Sequence, residues 1–283
     1  MKASSLYQKL EKEFIKPCLT DDWQASIPLI SEFISPNFKK RYMGIVCDFA
    51  KEITKAYTAV FPSNHVMQSL LDKQEEGIML FVHHPATWDI RTAPKVFLPM
   101  DLGLLRSFRE RKMSIYNLHV PLDNYGKYST GVALAKALGL TPKKPFAPYY
   151  GSLSGLFCNT DIRTVNEFKT RFQNTMGHKV SLYPYGGNNI NSKMVAVIPG
   201  GGNSQEFLEE IANEGVNTLA TGIAVKNSHS QQAHQFAEKN NINILGGTHY
   251  STEKFACIGL CSYFKKLGLP SEFIEDKPVM EDL

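Results

Sequence analysis

The chain has 283 residues, 43 % hydrophobic and 20 % charged. That is ordinary globular composition, which excludes a disordered chain and is enough to bury a sizeable core without staples. Lys plus Arg is 31 and Asp plus Glu is 27, so the net charge of +4 is too mild to mark a nucleic-acid binder.

Residues 1–17 carry Lys2, Lys9, Glu11, Lys12 and Glu13, which leaves no apolar stretch for a secretory leader. Leu6, Leu10 and Phe14 recur at helical spacing, so the segment reads as an amphipathic helix. The whole stretch from Met1 to Glu75 reads mostly helical. Ile78 to Val82 is a short apolar run ended by Pro85, the pattern of a buried strand. It is also the longest such run, far short of the roughly 20 residues that cross a bilayer, so no membrane partner is expected. Met113 to Leu118 alternates as a second strand, and Thr130 to Leu140 follows helical spacing and stops at Gly139. The stretch 141–155, rich in Pro, Tyr, Gly and Ser, reads as a loop and as the domain hinge.

A helix is expected near 164–175, a polar turn at 185–191 and a third strand at 194–198. That strand breaks at Pro199-Gly200-Gly201-Gly202. Asn203 then reads as an N-cap, with Glu206 as its capping-box partner. Strands at 216–220 and 242–245 flank a helix at 231–239, and a last helix begins near Ser251. Alternation of this kind predicts an α/β fold with largely parallel strands. The tail holds Glu272, Glu275, Asp276, Glu281 and Asp282 against Lys277 and is expected to be exposed. Two basic clusters, Arg106 to Lys112 and Lys143-Lys144, read as solvated faces. Five cysteines (Cys18, Cys47, Cys158, Cys257, Cys261) with no C-x-x-C spacing suit reduced, mostly buried thiols of a cytoplasmic protein.

Chemistry concentrates at three predicted strand ends. His83-His84 follows the first strand directly; neighbours on a strand point apart, but a twisted strand end can turn both toward one place. His119-Val120-Pro121-Leu122-Asp123 follows the second. Gly246-Gly247-Thr248-His249 leads into the last helix, whose first turn holds Glu253; that carboxylate also suits an ordinary capping box. Five N and O donors without cysteine are too many for a structural tetrahedral zinc. They suit two ions bridged by a carboxylate, the arrangement that activates water for hydrolysis. The glycine run lacks the Lys-Ser/Thr of a P-loop and reads as a tight turn. His229 and His234 flank a helix start, five apart and so not on one face. His65 and His178 receive no role. No G-x-S-x-G is present, which sets aside a serine hydrolase of that type.

Taken together, these pieces resemble the GTP cyclohydrolase 1 type 2 homologue, or NIF-three-like, family. The matching segments are Val82 to Pro85, Leu118 to Asp123 with Ala133 to Leu140 behind it, Val195 to Gly202, Thr221-Gly222 and Gly247 to Phe255. They occur in the family's order over roughly 76–264. The resemblance implies that His83, His84, Asp123, His249 and Glu253 hold two divalent ions (zinc, iron, manganese or nickel), with Glu253 bridging. It makes His119 a group beside the metals, and His229 the uncertain equivalent of a displaced histidine. It also implies two similar α/β domains: 1–125 with 247–283, carrying most of the ligands, and 126–246 inserted in the middle. A ring-like homohexamer with the metals facing an inner cavity is implied as well. The chain departs from the family's pattern between Met1 and Glu75, at Ile223 after Thr221-Gly222, and around 151–155.

The expected function is metal-dependent hydrolysis of a nucleotide-like or phosphate-containing small molecule by metal-held hydroxide, with His119 or His229 moving protons. The competing expectation is a non-enzymatic, metal-dependent ring that binds a protein or, less readily, a nucleic acid.

Overall fold

The computed structural model describes residues 1–283. It divides the chain into two units: Met1–Leu122 with Tyr150–Ser152 and Cys257–Lys277, and Asp123–Tyr149 with Leu153–Ala256 and Pro278–Leu283.

The first unit opens with helix α1 (Ala3–Phe14), which buries Leu6, Leu10 and Phe14 as its spacing predicts. Helix α2 (Pro36–Arg41) is capped by the Ser35 side chain, and strands β1 (Gly44–Cys47) and β2 (Lys55–Ala59) follow. These two strands correct the expectation of a mostly helical stretch before β3; both are too short for a period to stand out among helical neighbours. Helix α3 (Asn64–Asp72) leads to β3 (Ile78–Val82) and a two-residue-stranded hairpin, β4 (Thr87–Trp88) with β5 (Phe97–Leu98). Helix α4 (Leu102–Glu110) and β6 (Ser114–Asn117) follow.

The sheet order is β1-β6-β3-β2 and then a C-terminal strand, Ser271–Phe273. Its pairs are parallel except β1 with β6. One face of β3 (Ile78, Leu80, Val82) joins a core with Val66 and Leu70 of α3 and Leu105 and Phe108 of α4. The other face presents Phe81 to Tyr116, which stacks on Tyr7 of α1. A strand buried on both faces needs an unbroken apolar run, which is why β3 is legible in the sequence.

The second unit carries a single-turn helix α5 (Val120–Asp123, its last residue in this unit), α6 (Thr130–Ala137), β7 (Thr141–Tyr149) and β8 (Ser152–Asn159). The expected loop and hinge at 141–155 is therefore two strands. β7 is the outermost strand of its sheet, the position at which prolines and lysines are best tolerated in a strand. Then come α7 (Val165–Met176), β9 (Ser181–Tyr183), β10 (Met194–Ile198), α8 (Gln205–Asn213), β11 (Thr218–Thr221), α9 (Gln231–Lys239) and β12 (Asn243–Gly246). Helix α8 is capped by Ser204 rather than Asn203.

This six-stranded sheet runs β7-β8-β10-β11-β12-β9, with only β10-β11 and β11-β12 parallel among the pairs from β8 to β9. Val195 and Val197 face Phe168 and Phe172 of α7, while Ala196 and Ile198 face Leu208 and Ile211 of α8. Period-two alternation thus divides one strand between two helical layers.

Helix α10 (His249–Lys266) and strand β13 (Ser271–Phe273) complete the chain. The boundary between units lies within α10, so 247–256 belong to the second unit rather than to a domain built from the chain's two ends. His249 and Glu253 thereby join Asp123 in the second unit. The acidic tail is not wholly exposed either: Asp282 is fully buried, because its carboxylate and carbonyl oxygens both accept backbone amides. None of the five cysteines is in a disulfide. Cys47, Cys158 and Cys257 are buried, and burial pushes the Cys158 thiol up to about 12.

His234 on α9 offers a test of this core. Its Nδ1 accepts from Tyr185 Oη at 3.1 Å, and its Nε2 donates to Ala224 O at 3.0 Å, which is the pattern of a neutral ring. Burial lowers its pKa, against a smaller upward pull from the Ala224 carbonyl. The unfolded chain, with a His pKa near 6.5, therefore binds the proton better, and stability rises with pH. The contribution is complete above about 6.5 and declines as pH falls through the folded-state value. Urea unfolding at pH 7.5 and pH 5 should show a larger loss in the wild type than in His234→Gln; equal losses would contradict the assignment.

Candidate metal centre

In the first unit the donors follow β3. The amides of His83 and His84 donate to Ala59 O (3.2 Å) and Val60 O (2.9 Å), so the chain keeps its partner beyond the regular strand. The backbone departs from regular strand geometry there, and the two neighbouring rings lie 4.4 Å apart between centroids instead of on opposite faces. His119, just past β6, brings its ring within 5.3 Å of His83 and 4.7 Å of His84. One ring nitrogen from each of the three lies within 4.8 Å of the others, and all three residues are buried.

Their surroundings fix the rings. His83 Nδ1 donates to Leu118 O at 3.0 Å, which directs Nε2 away as the donor atom. His84 is stacked between Phe61 (4.8 Å) and Phe97 (5.4 Å), and Trp23 meets it edge-on. His119 Nδ1 donates to both carboxylate oxygens of Asp21, each at 3.1 Å, and Trp23 packs 5.1 Å from its ring. The Asp21 side chain is only 2 % exposed and also accepts from the amides of Asp22 and Val120. Asp21 and Trp23 lie far before His119 in a segment that carries no motif, so no local spacing signals them. Only their joint appearance within three positions of an otherwise helical reading could have drawn notice.

In the second unit, β12 ends at Gly246 and α10 begins at His249 itself, ahead of the predicted start at Ser251. Thr248 takes φ +66°, a left-handed conformation uncommon for a β-branched residue, and its hydroxyl accepts from Ser251 N. His249 and Glu253 are one helical turn apart, with His249 Nε2 3.2 Å from Glu253 Oε1 and both side chains buried. Gly200, at φ +67°, lies directly against them: a Cβ there would stand 2.2 Å from Glu253 Oε1 and 3.2 Å from His249 Cδ2. The predicted tight turn is thus the wall against which the carboxylate rests. Its backbone is anchored, with Gly200 N donating to Thr252 Oγ1 and Gly200 O accepting from the amides of Gly222 and Ile223. Asp123 ends α5 and accepts from Thr130 Oγ1 at 2.7 Å, a contact across the loop to α6.

His229 takes no part in either cluster. It is exposed in the turn before α9, where its amide donates to Asn227 Oδ1. His178 is half-buried and its Nε2 contacts Ser251 Oγ at 2.7 Å.

Buried His and Glu side chains able to hold metal ions are therefore present in both units. The donor chemistry fits: imidazoles oriented by a carbonyl and a carboxylate, and a carboxylate for which a glycine leaves room, with no thiolate among them.

The model of the Duf34/NIF3 (NGG1p interacting factor 3) family matches residues 27–278. The chain belongs to that family. A GTP cyclohydrolase 1 type 2 homolog of Deinococcus radiodurans is 27 % identical over 215 residues, 74 % of this chain and 76 % of that one. A protein of the same description from Archaeoglobus fulgidus is 24 % identical over 242 residues, 82 % and 88 % of the two chains. Among solved structures, the ybgI protein, of unknown function, superposes with a TM-score of 0.76 at 20 % identity, covering 98 % of this chain and 100 % of its own. Reduced HcgD from Methanocaldococcus jannaschii gives 0.67 at 20 % identity, with 98 % of each chain covered. The NIF3 family's α/β fold thus spans the whole chain, including the N-terminal stretch before β3, where the sequence resemblance is poorest.

Proposed function

We propose that this Duf34/NIF3 protein is a hydrolase that binds two divalent metal ions. His83, His84, Asp123, His249 and Glu253 would be the ligands, and a nucleotide-like or phosphate-containing molecule the substrate. What supports the reading is that one unit holds buried, oriented imidazoles and the other a buried, glycine-backed carboxylate beside a histidine, together a donor set richer than a structural site needs. Zinc, iron, manganese and nickel all suit such ligands. Two cations bound there would supply Lewis acidity, lowering the pKa of water toward neutrality and stabilising developing negative charge.

The chain's own residues have separate tasks. His83 presents Nε2 because Leu118 O holds its Nδ1 proton. Glu253 is kept in place by the anchored Gly200 turn. His119, whose Nδ1 proton is committed to Asp21, is left with Nε2 to accept a proton or hand one to a leaving group. The names of the relatives favour opening of the GTP imidazole ring, with phosphate esters as the neighbouring class. A ring-like homohexamer is proposed on the family resemblance.

The test is turnover. Full-length protein loaded separately with Zn²⁺, Mn²⁺, Ni²⁺ or Fe²⁺ is incubated with GTP, other nucleotides and phosphate esters, and the products are separated by chromatography. At least one pairing should turn over, and His119→Ala should lower that rate by about 10²–10⁴-fold with metal content retained. Metal-loaded protein that turns over none of them would favour the non-enzymatic ring assembly instead.

A further inference from the structure

The start of α10 is closed by a residue from far along the chain. Thr248 satisfies two first-turn amides, its hydroxyl accepting from Ser251 N at 3.2 Å and its carbonyl from Thr252 N at 3.3 Å. The amide of His249 donates instead to Asp282 Oδ2 at 2.8 Å, across 33 positions of sequence. Asp282 is fully buried. It is fixed through its backbone, whose carbonyl accepts from Ala224 N at 2.8 Å and Val225 N at 2.9 Å. The same 222–225 segment is tied on its other side to Gly200, whose carbonyl accepts from Gly222 N and Ile223 N. Gly200 in turn backs Glu253. Asp282, the 222–225 segment, Gly200 and the first turn of α10 therefore form one hydrogen-bonded circuit, and His249 and Glu253 are the side chains it encloses.

We propose that Asp282 is a positioning residue for the metal centre. Its carboxylate takes the first amide of α10, which the local Thr248 cap leaves over, and sets where His249 and Glu253 stand. A buried carboxylate accepting a helix-terminal amide makes a charge-assisted bond and is favoured by the helix dipole. Both ligands lie within the first turn and a half of α10, so a shift of that turn displaces them together. Asp282 touches neither substrate nor metal in this account and acts through His249. The inference rests on the reading of His249 and Glu253 as ligands.

The experiment compares full-length wild type with Asp282→Ala, Asp282→Asn and the neighbouring exposed-charge control Glu281→Ala. Three quantities are read: Zn²⁺ affinity by competition with a chromophoric chelator, thermal unfolding, and hydrogen exchange of a peptide spanning 248–254 in metal-free protein. Asp282→Ala should bind Zn²⁺ about 10–100-fold more weakly, the usual cost of losing a group that orients a ligand. Its 248–254 peptide should exchange faster. Asp282→Asn keeps an acceptor for the His249 amide and should recover most of both, and Glu281→Ala should match wild type.

Wild-type Zn²⁺ affinity in a cooperatively folded Asp282→Ala would overturn the proposal. So would equal losses in Asp282→Ala and Asp282→Asn, which would reduce the residue to general support. If Asp282→Ala does not fold, the Asp282→Asn comparison decides. Wild type that binds no Zn²⁺ would sink the reading of the ligands rather than the cap, and exchange in the metal-free proteins would still show whether Asp282 pins the helix.

Discussion

Gly200→Ala is expected to fold and to lose its metal affinity. The new Cβ would stand 2.2 Å from Glu253 Oε1, so one of the two must move. The turn cannot, because its amide and carbonyl are bonded to Thr252, Gly222 and Ile223. The carboxylate is the end of a flexible side chain and gives way. An alanine at φ +67° adds about 1–2 kcal/mol of left-handed backbone strain, a modest loss for a domain of this size. The displaced carboxylate should cost about 10–100-fold in metal affinity, as loss of ligand orientation does elsewhere. Calorimetric titration with Zn²⁺ beside thermal unfolding separates the two effects. Unchanged affinity would mean that Glu253 is not a ligand or that the turn yields.

Asp21→Ala should be the most damaging change in the first unit. It removes the acceptor of His119 Nδ1 and of the Val120 amide from a site where the carboxylate is 2 % exposed. Buried donors stripped of an acceptor cost about 1–3 kcal/mol. The functional loss should be larger than the stability loss, because the neutral His119 ring can then carry its proton on either nitrogen. Asp21→Asn, which retains an acceptor oxygen, should restore most of the stability. Turnover by the metal-loaded protein together with urea unfolding reads both. If Asp21→Ala matched wild type in turnover, His119 would need no such orientation, and its proposed role in proton transfer would fall.

The sequence was legible where local patterning and burial coincide. β3 and β10 are unbroken apolar runs because helices cover both faces, and α9 lies where its spacing puts it. His83-His84 stood out because it follows such a run, and His249 with Glu253 because a single loop-to-helix junction after a strand carries both. What stayed hidden is long-range. Asp21 and Asp282 reach their partners across 98 and 33 positions, and no spacing rule spans such distances. The edge strand β7 was hidden for another reason: prolines and lysines that usually signal a loop are also what an edge strand tolerates. The unit boundary within α10 was equally invisible, since nothing in a continuous helical pattern shows that its two halves pack into different cores.

The central claim, that this chain holds two metal ions through His83, His84, Asp123, His249 and Glu253, is tested most directly by elemental analysis. Full-length protein is purified without chelator, wild type beside Glu253→Ala. About two ions per chain in the wild type and a clear loss in the variant are expected for a bridged pair. Wild type that neither contains metal nor takes it up on reconstitution would contradict the account, as would a Glu253→Ala protein with undiminished content.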